Sequence, residues 1–418
     1  MSAQAPALPG IADPRALQRS LGRAERVRKL RAFALTLPLL VFLMLTFLVP
    51  IAALLKRAIE NPEVAHALPR TVSALERWNR RDPPPDEAYA AVLADLGALP
   101  ESADAGALAR RLNSEVPGAR SLVMNAYKAL PLEGVASPGQ AKARLTALDE
   151  RWADLKYWQA IAKNGSRWTG DYLLASVDLK RDAQGTIERM APDQRVFGRI
   201  LVRTFEISMI VTAWCLLLGY PLAYWLSTLP ARQANILMIV VLVPFWTSIL
   251  VRVAAWIVLL QSAGLVNRAL IATGVIDHPL ALLFNRTGVI IAMTHILLPF
   301  MILPLYSVMK GIPPSYLRAA VSLGSTPLAA FFRVYVPQTY PGIGAGALLV
   351  FILSIGYYVT PALLGGADDQ MLSYYIAQYT NVNVNWGMAS ALGALLLAAT
   401  LVLYAFYRRI TKSEVSLG

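Results

Sequence analysis

Hydrophobic residues are distributed unevenly along this 418-residue chain, in six long apolar runs separated by polar segments. Each run is long enough to cross about 30 Å of hydrocarbon as an α-helix, and a helix satisfies its own backbone hydrogen bonds in lipid. The pattern therefore predicts an all-α integral membrane protein with six transmembrane helices. The runs cover approximately residues 32–55, 205–228, 236–260, 287–309, 343–364 and 387–407.

The first apolar run could be mistaken for a secretion signal, because the preceding residues 1–31 are strongly basic. Its length exceeds the roughly 7 to 15 apolar residues of a signal peptide. Lys56 and Arg57 also stand where a cleavage site would need small residues. Residues 32–55 are therefore predicted to be a retained transmembrane helix that follows a basic cytoplasmic tail.

Residues 56–198, between the first two runs, differ in composition from the rest of the chain. Apolar residues recur with helical spacing at 89–99 and 145–161, which predicts amphipathic helices. Long loops cross the membrane whatever their charge, so we predict a mostly helical extracytoplasmic domain inserted between helices 1 and 2. A partly ordered, alanine-rich insertion is the alternative. Residues 199–408 then form the main transmembrane domain, with a short non-spanning helix near 264–274 and a cytoplasmic tail at 409–418.

Composition and charge support a membrane protein and a specific orientation. Hydrophobic residues make up 56% of the chain and charged residues only 16%, which excludes an ordinary soluble globular protein. The net charge of +13 does not indicate nucleic-acid binding, because the excess lies in tails and short loops, whereas residues 56–198 hold 20 basic and 19 acidic residues. This positive-inside distribution predicts cytoplasmic N- and C-termini. The loop 365–386 contains Asp368 and Asp369 but no lysine or arginine, and is predicted to lie outside.

The chain lacks the sequence patterns of the common catalytic sites. Its three histidines have no ligand spacing, and its one cysteine, Cys215, lies in an apolar run. Neither a phosphate-binding loop nor a nucleophile elbow is present. We therefore predict no metal, no cofactor and no enzymatic activity, and interpret His295 as a hydrogen-bonded helix-packing residue.

The most specific local pattern lies in the cytoplasmic loop 310–342. A short helix from about Pro314 is predicted to end at Gly324, which can adopt a left-handed conformation. Ser325 or Thr326 then caps a second helix whose first position is Pro327. The resulting helix–turn–helix elbow can project from the membrane towards a partner. The alternative is a loop that lies on the inner leaflet.

This elbow resembles the cytoplasmic signature of the permease subunits of binding-protein-dependent ABC importers. That signature is Glu-Ala-Ala, three residues, Gly, nine residues, Ile, one residue and Leu-Pro. Here Ala319, Ala320, Gly324 and Pro337 match the spacing, valines replace Ile and Leu, and Arg318 reverses the charge of the usual glutamate. The resemblance implies a type I permease fold in a bacterial inner membrane. Its implied ATPase-coupling residues are Arg318, Ala319, Ala320, Leu323, Gly324 and Pro337.

The same resemblance implies partners and a source of energy. In the family, the elbow docks on a dimer of ATP-binding subunits, a second permease subunit or a copy of the same chain completes the pore, and a periplasmic solute-binding protein delivers the cargo. ATP is then hydrolysed on a separate subunit. A secondary transporter is the rival class, but it predicts intramembrane acidic relays or inverted repeats, and neither is evident in this sequence.

A narrower resemblance is to spermidine/putrescine permeases of the PotB type. It covers most of residues 200–412, with matching motifs at 218–225, 243–252, 358–366 and 385–388. It implies polyamine transport. Similar permeases import other small cationic or amino-acid-like solutes, including opines, so these cargoes remain alternatives.

Charged and aromatic residues in or near the apolar runs are candidates for the substrate pathway. Glu206 and Arg252 are costly in hydrocarbon, so they should face the helix bundle or a wet cavity, and an ion pair between them is one arrangement that the sequence allows. Aromatic faces attract organic cations, although aromatic residues near helix ends also serve as interfacial anchors. Arg252 has the wrong sign to bind a polyamine and is interpreted as a structural or gating residue. The candidates are Glu206, Trp246, Arg252, Trp256, Tyr357 and Tyr358.

Overall fold

The computed structural model describes residues 14–132, 137–182 and 185–415, and the chain divides into two compact units at Lys56. In the first unit, helix Pro14–Leu43 continues through a π-helical turn, Met44–Leu48, into helix Val49–Arg57, which crosses the unit boundary. The stretch Arg28–Arg57 is apolar enough to span a membrane, with a mean hydropathy of 2.6. Its apolar core is the predicted first transmembrane helix.

Six helices of the described residues are long and apolar enough to span a membrane, which confirms the predicted number. We call them spans 1 to 6. They are Arg28–Arg57, Phe197–Thr228, Ile249–Ala272, Arg286–Lys310, Pro327–Gly356 and Trp386–Arg409.

Two of the predicted boundaries are wrong because the helices break within the apolar runs. The run 236–260 is divided into helix Ala231–Leu242, a 3-10 turn Val243–Trp246 and helix Ile249–Leu260. Pro244, which has no N–H to donate, lies at this break. The run 343–364 is also interrupted: helix Val336–Gly356 ends at the extended residue Tyr357, and a separate helix, Val359–Leu364, follows.

Span 4, which consists of helix Arg286–Lys310, lies at the centre of the membrane-spanning bundle in the second unit. In its most apolar window 61% of the residues are buried, against 17% in span 3 and 22% in span 6. A helix that is hydrophobic on all sides needs neighbours on all sides. The core packs Cys215 of span 2 and Met293 and Met301 of span 4 with Val350 of span 5.

The remaining elements of the bundle are short. Helix Leu265–Ala272 is a short separate helix, as predicted, but it is counted with Ile249–Leu260 in the apolar stretch of span 3; it ends before Gly274, which has a positive φ. After span 5 come a 3-10 turn, Ala367–Asp369, and helix Leu372–Asn381. Helix Trp386–Val415 then contains span 6.

The segment between spans 1 and 2, which we call the insertion, is mostly helical and has its own hydrophobic core. Its strands pair antiparallel, with Leu179 opposite Arg189. The described residues pack around buried Tyr89, Trp152 and Trp158, rather than forming a loosely ordered alanine-rich stretch. The helices are Pro62–Ala67, Pro69–Leu75, Asp86–Gly97, Ser102–Glu115, Ala119–Lys128, Pro138–Leu148, Glu150–Ala153 (a 3-10 helix), Leu155–Lys163 and Asp171–Ser176, and the strands are Leu179–Arg181 and Ile187–Arg189.

A network of polar side chains inside the insertion surrounds the buried Arg111. The guanidinium donates hydrogen bonds to Asn61 at 2.7 Å, to Asn164 and to Glu115 at 3.1 Å. Burial opposes ionisation of Glu115, but the charges of Arg111 and Lys163 outweigh it and lower the pKa of this carboxyl group. The ion pairs of Glu115 therefore stabilise the folded insertion at neutral pH, and this contribution is lost as the pH falls through the lowered pKa.

The insertion is joined to the membrane-spanning bundle by a shared hydrophobic cluster. Tyr172 of the insertion packs with Phe197 and Ile200 of span 2 and with Met388 and Leu392 of span 6.

Two polar and steric details fix this junction between the insertion and the bundle. The Asp178 carboxylate accepts hydrogen bonds from the backbone N–H groups of Val196, Phe197 and Gly198, and so caps the first turn of span 2. The Tyr172 ring lies 2.3 Å from the position that a Cβ at Gly387 would occupy. Only glycine permits so close an approach.

Candidate functional site

The elbow in the loop 310–342 has the predicted helix–turn–helix geometry. Helix Ser315–Ser322 is followed by Gly324, whose φ of +92° is in the left-handed region. The Thr326 hydroxyl accepts a hydrogen bond from the Ala329 N–H, so Thr326 is the cap, and Pro327 occupies the first position of the next helix, Pro327–Ala330. The backbone N–H of Ser325 donates to the Ala320 carbonyl at 3.1 Å and closes the turn.

The tip of the elbow presents apolar side chains to its surroundings. Leu323 is 87% exposed and Leu328 is 70% exposed, and Tyr316, Val321 and Phe332 are also exposed. An exposed apolar patch of this kind is typical of a protein interaction surface. Four of the predicted coupling residues, Arg318, Ala319, Gly324 and Pro337, are exposed on this part of the chain, while Ala320 is half-buried.

The second arm of the elbow continues into span 5 without a break. Helix Pro327–Ala330 passes through a π-helical turn, Phe331–Tyr335, into helix Val336–Gly356. The Val336 N–H donates to the Phe331 carbonyl in that turn, and Pro337 follows it. A displacement of the elbow tip would therefore act directly on span 5.

Aromatic contacts connect the base of the elbow to span 2. Phe331 stacks on Tyr335 with ring centroids 5.5 Å apart, and the Tyr224 ring of span 2 contacts these two rings at 5.2 and 5.3 Å. Nearby, the Tyr220 and Thr339 hydroxyls lie 3.2 Å apart, within hydrogen-bonding distance. The second arm of the elbow, where it enters span 5, is thus packed against span 2.

Three of the predicted pathway residues lie together, with a fourth residue that was not predicted as part of a site. Arg252 and Trp256 are one helical turn apart on span 3, and the Trp256 Nε1–H donates to His295 Nδ1 of span 4 at 3.3 Å. Arg252 interacts electrostatically with His295 and with Tyr357. We call these four residues the Arg252 patch. His295 is hydrogen-bonded, as expected, but it is exposed rather than packed in the core.

Glu206 belongs to a different group of charges, near the N-terminal ends of spans 2 and 4. Its carboxylate pairs with Arg286, not Arg252, at 3.0 Å, so the ion pair that the sequence allowed is not formed. Arg286 also reaches Asp369 at 3.3 Å. Sequence reasoning missed Arg286 because it immediately precedes an apolar run and resembles an ordinary flanking residue.

The other two predicted pathway residues are exposed on the surface of the chain. Trp246 is 72% exposed in the 3-10 turn that interrupts the third apolar run, and Tyr358 is exposed beside Tyr357. In the described part of the chain, no group of three or more His, Cys, Asp or Glu side chains is arranged to hold a metal ion.

Comparison with known proteins assigns this architecture to a family. Residues 216–414 match the family model described as the inner membrane component of binding-protein-dependent transport systems. The chain is 35% identical over 226 residues to the spermidine/putrescine transport system permease protein PotB of Escherichia coli, an alignment that covers 53% of this chain and 82% of PotB. The chain belongs to the PotB-like family of ABC importer permeases.

Other relatives and solved structures are similar over about the same half of the chain. PotB of Haemophilus influenzae is 36% identical, with 51% of this chain and 75% of that protein covered. A putative 2-aminoethylphosphonate transport system permease, PhnU of Salmonella paratyphi A, is 26% identical, with 53% and 76% covered. A crystal structure of a bacterial alginate ABC transporter, in complex with an alginate pentasaccharide-bound periplasmic protein, gives a TM-score of 0.43 at 20% identity and covers 52% of this chain and 80% of that one.

Membership of the PotB-like family agrees with the six spans of the structure. The chain is a multi-pass inner-membrane transport subunit with the type I permease fold, not an enzyme. The family match begins at residue 216, so span 1 and the insertion lie outside it.

Proposed function

We propose that this PotB-like permease imports a small organic cation of the polyamine class, such as spermidine or putrescine. The similarity to PotB over 82% of that protein carries the proposal. Glu206 supports it, because its carboxylate, although paired with Arg286, is only half-buried and can also attract an ammonium group.

The proposed complex pairs this chain with a second permease subunit, a dimer of ATP-binding subunits and a periplasmic solute-binding protein. ATP-driven closure of the ATPase dimer would move the elbow, and with it span 5 and the aromatic cluster against span 2. Arg318, Ala319, Ala320, Leu323, Gly324 and Pro337 would form or support the ATPase contact. Alternating access of the bundle to the two sides of the membrane would follow from this movement.

Glu206→Gln is expected to raise the KM for spermidine uptake by the reconstituted complex, because it removes a negative charge from the proposed cation pathway. We expect an increase of about 5- to 50-fold, equivalent to about 1 to 2.3 kcal/mol. Uptake of labelled spermidine into proteoliposomes, at equal amounts of assembled complex, measures this change. Arg203→Gln, which changes a neighbouring charge on span 2 that lies close to Asp368, is the matched control.

An unchanged KM for Glu206→Gln would remove this residue from the pathway. Competition assays test the cargo class itself. If excess spermidine or putrescine leaves uptake unaffected while an amino acid or an opine competes, the cargo belongs to one of those classes.

The proposed orientation places both termini in the cytoplasm and the insertion outside, as the charge distribution indicates. Single cysteines at the exposed positions Arg144 and Asp368, in a Cys215→Ala background, should react in intact spheroplasts with an impermeant thiol reagent. A cysteine at exposed Gln233 should react only after the membrane is permeabilised. Labelling of Gln233→Cys, but not Arg144→Cys, in intact spheroplasts would reverse the orientation.

A further inference from the structure

The positive charge of Arg252 is not balanced within the described part of the chain. Its Nε atom is buried without a hydrogen-bond partner. Among the side chains that the structure describes (residues 25, 26, 28–132, 137–182 and 185–409), no ion pair to Arg252 is formed, whereas Arg286 has two. The other members of the Arg252 patch are Trp256, His295 and Tyr357, which carry no negative charge. The patch therefore lacks a counter-charge.

The surroundings of Arg252 limit what can supply that charge. Ile249 and Ala255, three positions before and after Arg252 and so on the same face of span 3, are exposed and apolar, and this face therefore contacts either lipid or another protein. Charged side chains in spans are costly against lipid, and they almost always face a partner or a wet cavity. Removing one member of a buried ion pair is strongly destabilising, because the remaining charge is left unpaired and away from water. The Arg252 patch should therefore face a protein that brings an acidic group.

We propose that a carboxylate on a span of the second permease subunit pairs with Arg252 across the subunit interface. A polyamine cannot supply this counter-charge, because it carries the same sign as Arg252. A second copy of this chain is also unsuitable, because Glu206 is the one acidic residue in its six spans and Arg286 already binds it. The proposal depends on the second permease subunit of the proposed complex and not on the identity of the cargo.

The remaining patch residues fit an anionic partner. Because His295 Nδ1 accepts the hydrogen bond from Trp256, the proton of the neutral imidazole is on Nε2, which can donate. The Tyr357 hydroxyl is buried without a partner. Both groups, together with the Arg252 guanidinium, can donate hydrogen bonds to a carboxylate.

Co-purification of the intact complex through a tag on this chain tests the proposal. Arg252→Glu should reduce the retained second permease subunit at least about tenfold, equivalent to a loss of about 1.4 kcal/mol, and Arg252→Gln should have a smaller effect. Arg203→Gln is the matched control, since Arg203 donates to the Gln370 carbonyl of its own chain at 3.3 Å. The total amount of this chain in the membrane should not change.

A charge exchange then identifies the partner residue. Each Asp or Glu in the spans of the second subunit is replaced by Lys in the Arg252→Glu background, and one replacement should restore co-purification. If Arg252→Glu does not accumulate in the membrane, Arg252→Cys in the Cys215→Ala background replaces it. After mild oxidation with copper phenanthroline, a disulfide with a cysteine at one of the acidic positions is then expected.

Several results would overturn the proposal. They are normal co-purification of Arg252→Glu, no restoring exchange, or no crosslink at any acidic position. A variant Arg252→Gln that assembles normally but raises the KM only for a carboxylate-bearing cargo would assign Arg252 to cargo binding. An active complex with two copies of this chain and no second permease subunit would also refute the proposed Arg252–carboxylate pair. That result would not affect the assignment of a polyamine cargo.

Discussion

Gly324→Val should nearly abolish coupling between the solute-binding protein and ATP hydrolysis while leaving membrane insertion intact. The φ of +92° at Gly324 is in a region that costs an L-residue about 1 to 2 kcal/mol, and a β-branched side chain resists it further. No atom lies within 4 Å of the position that a Cβ would occupy, so the penalty comes from the backbone and not from a collision. The turn should rearrange and misplace Leu323.

The measurement is ATPase stimulation by the loaded solute-binding protein in the reconstituted complex, which should fall about tenfold or more if the contact loses about 1.4 kcal/mol. Gly311→Val is the matched control, because Gly311 lies at the start of the same loop with an ordinary φ of −80°. Gly324→Asn should retain much of the stimulation, since asparagine tolerates the left-handed region. Full stimulation by Gly324→Val, or an equal loss in Gly311→Val, would show that the elbow is only a connection.

Trp158→Ala should unfold much of the insertion while the membrane-spanning bundle stays folded. The Trp158 side chain is fully buried, and its ring centroid lies 4.5 Å from that of Tyr89. Its Nε1–H donates a hydrogen bond to the Trp152 carbonyl at 2.8 Å. Removing a buried tryptophan typically costs about 3 to 5 kcal/mol. The core of the insertion is separate from the core of the bundle, so the loss should remain local.

Hydrogen exchange of the full-length chain in detergent measures this effect. Helices Asp86–Gly97 and Leu155–Lys163 should lose protection, whereas Arg286–Lys310 should retain it. Trp168→Ala, at a half-exposed tryptophan of the same insertion, should change exchange much less. Unchanged protection in Trp158→Ala would contradict a core built around this residue.

The sequence predicts the spans and the elbow well because local rules determine both. Apolar runs of sufficient length must form helices in lipid, and Gly324, Thr326 and Pro327 are residue types with strong positional preferences. The breaks at Pro244 and Tyr357 are less evident, since average hydropathy does not change there. In the insertion, the Asp149 carboxylate accepts from the Arg151 N–H and starts a new 3-10 turn, so the apolar repeat at 145–161 spans three elements.

Pairings between distant side chains could not be predicted from the sequence. Glu206 and Arg286 are 80 positions apart, and only the packing of span 2 beside span 4 brings them together. His295 was assigned to packing because a lone histidine in an apolar run has no local signal of function. Its place in the Arg252 patch depends on the rotation of span 4 relative to span 3, which hydrophobic periodicity cannot resolve in a helix that is apolar on nearly all sides.

The close packing of Tyr172 against Gly387 has a practical consequence for any attempt to shorten this protein. Deleting the insertion between spans 1 and 2 would uncover Phe197, Ile200 and Leu392, which Tyr172 now helps to shield from water. It would also remove Asp178 from the first turn of span 2. A shortened chain would therefore need to retain residues 171–198 to cover this surface, or to carry polar substitutions on it. Without either change, we expect the shortened chain to aggregate in detergent.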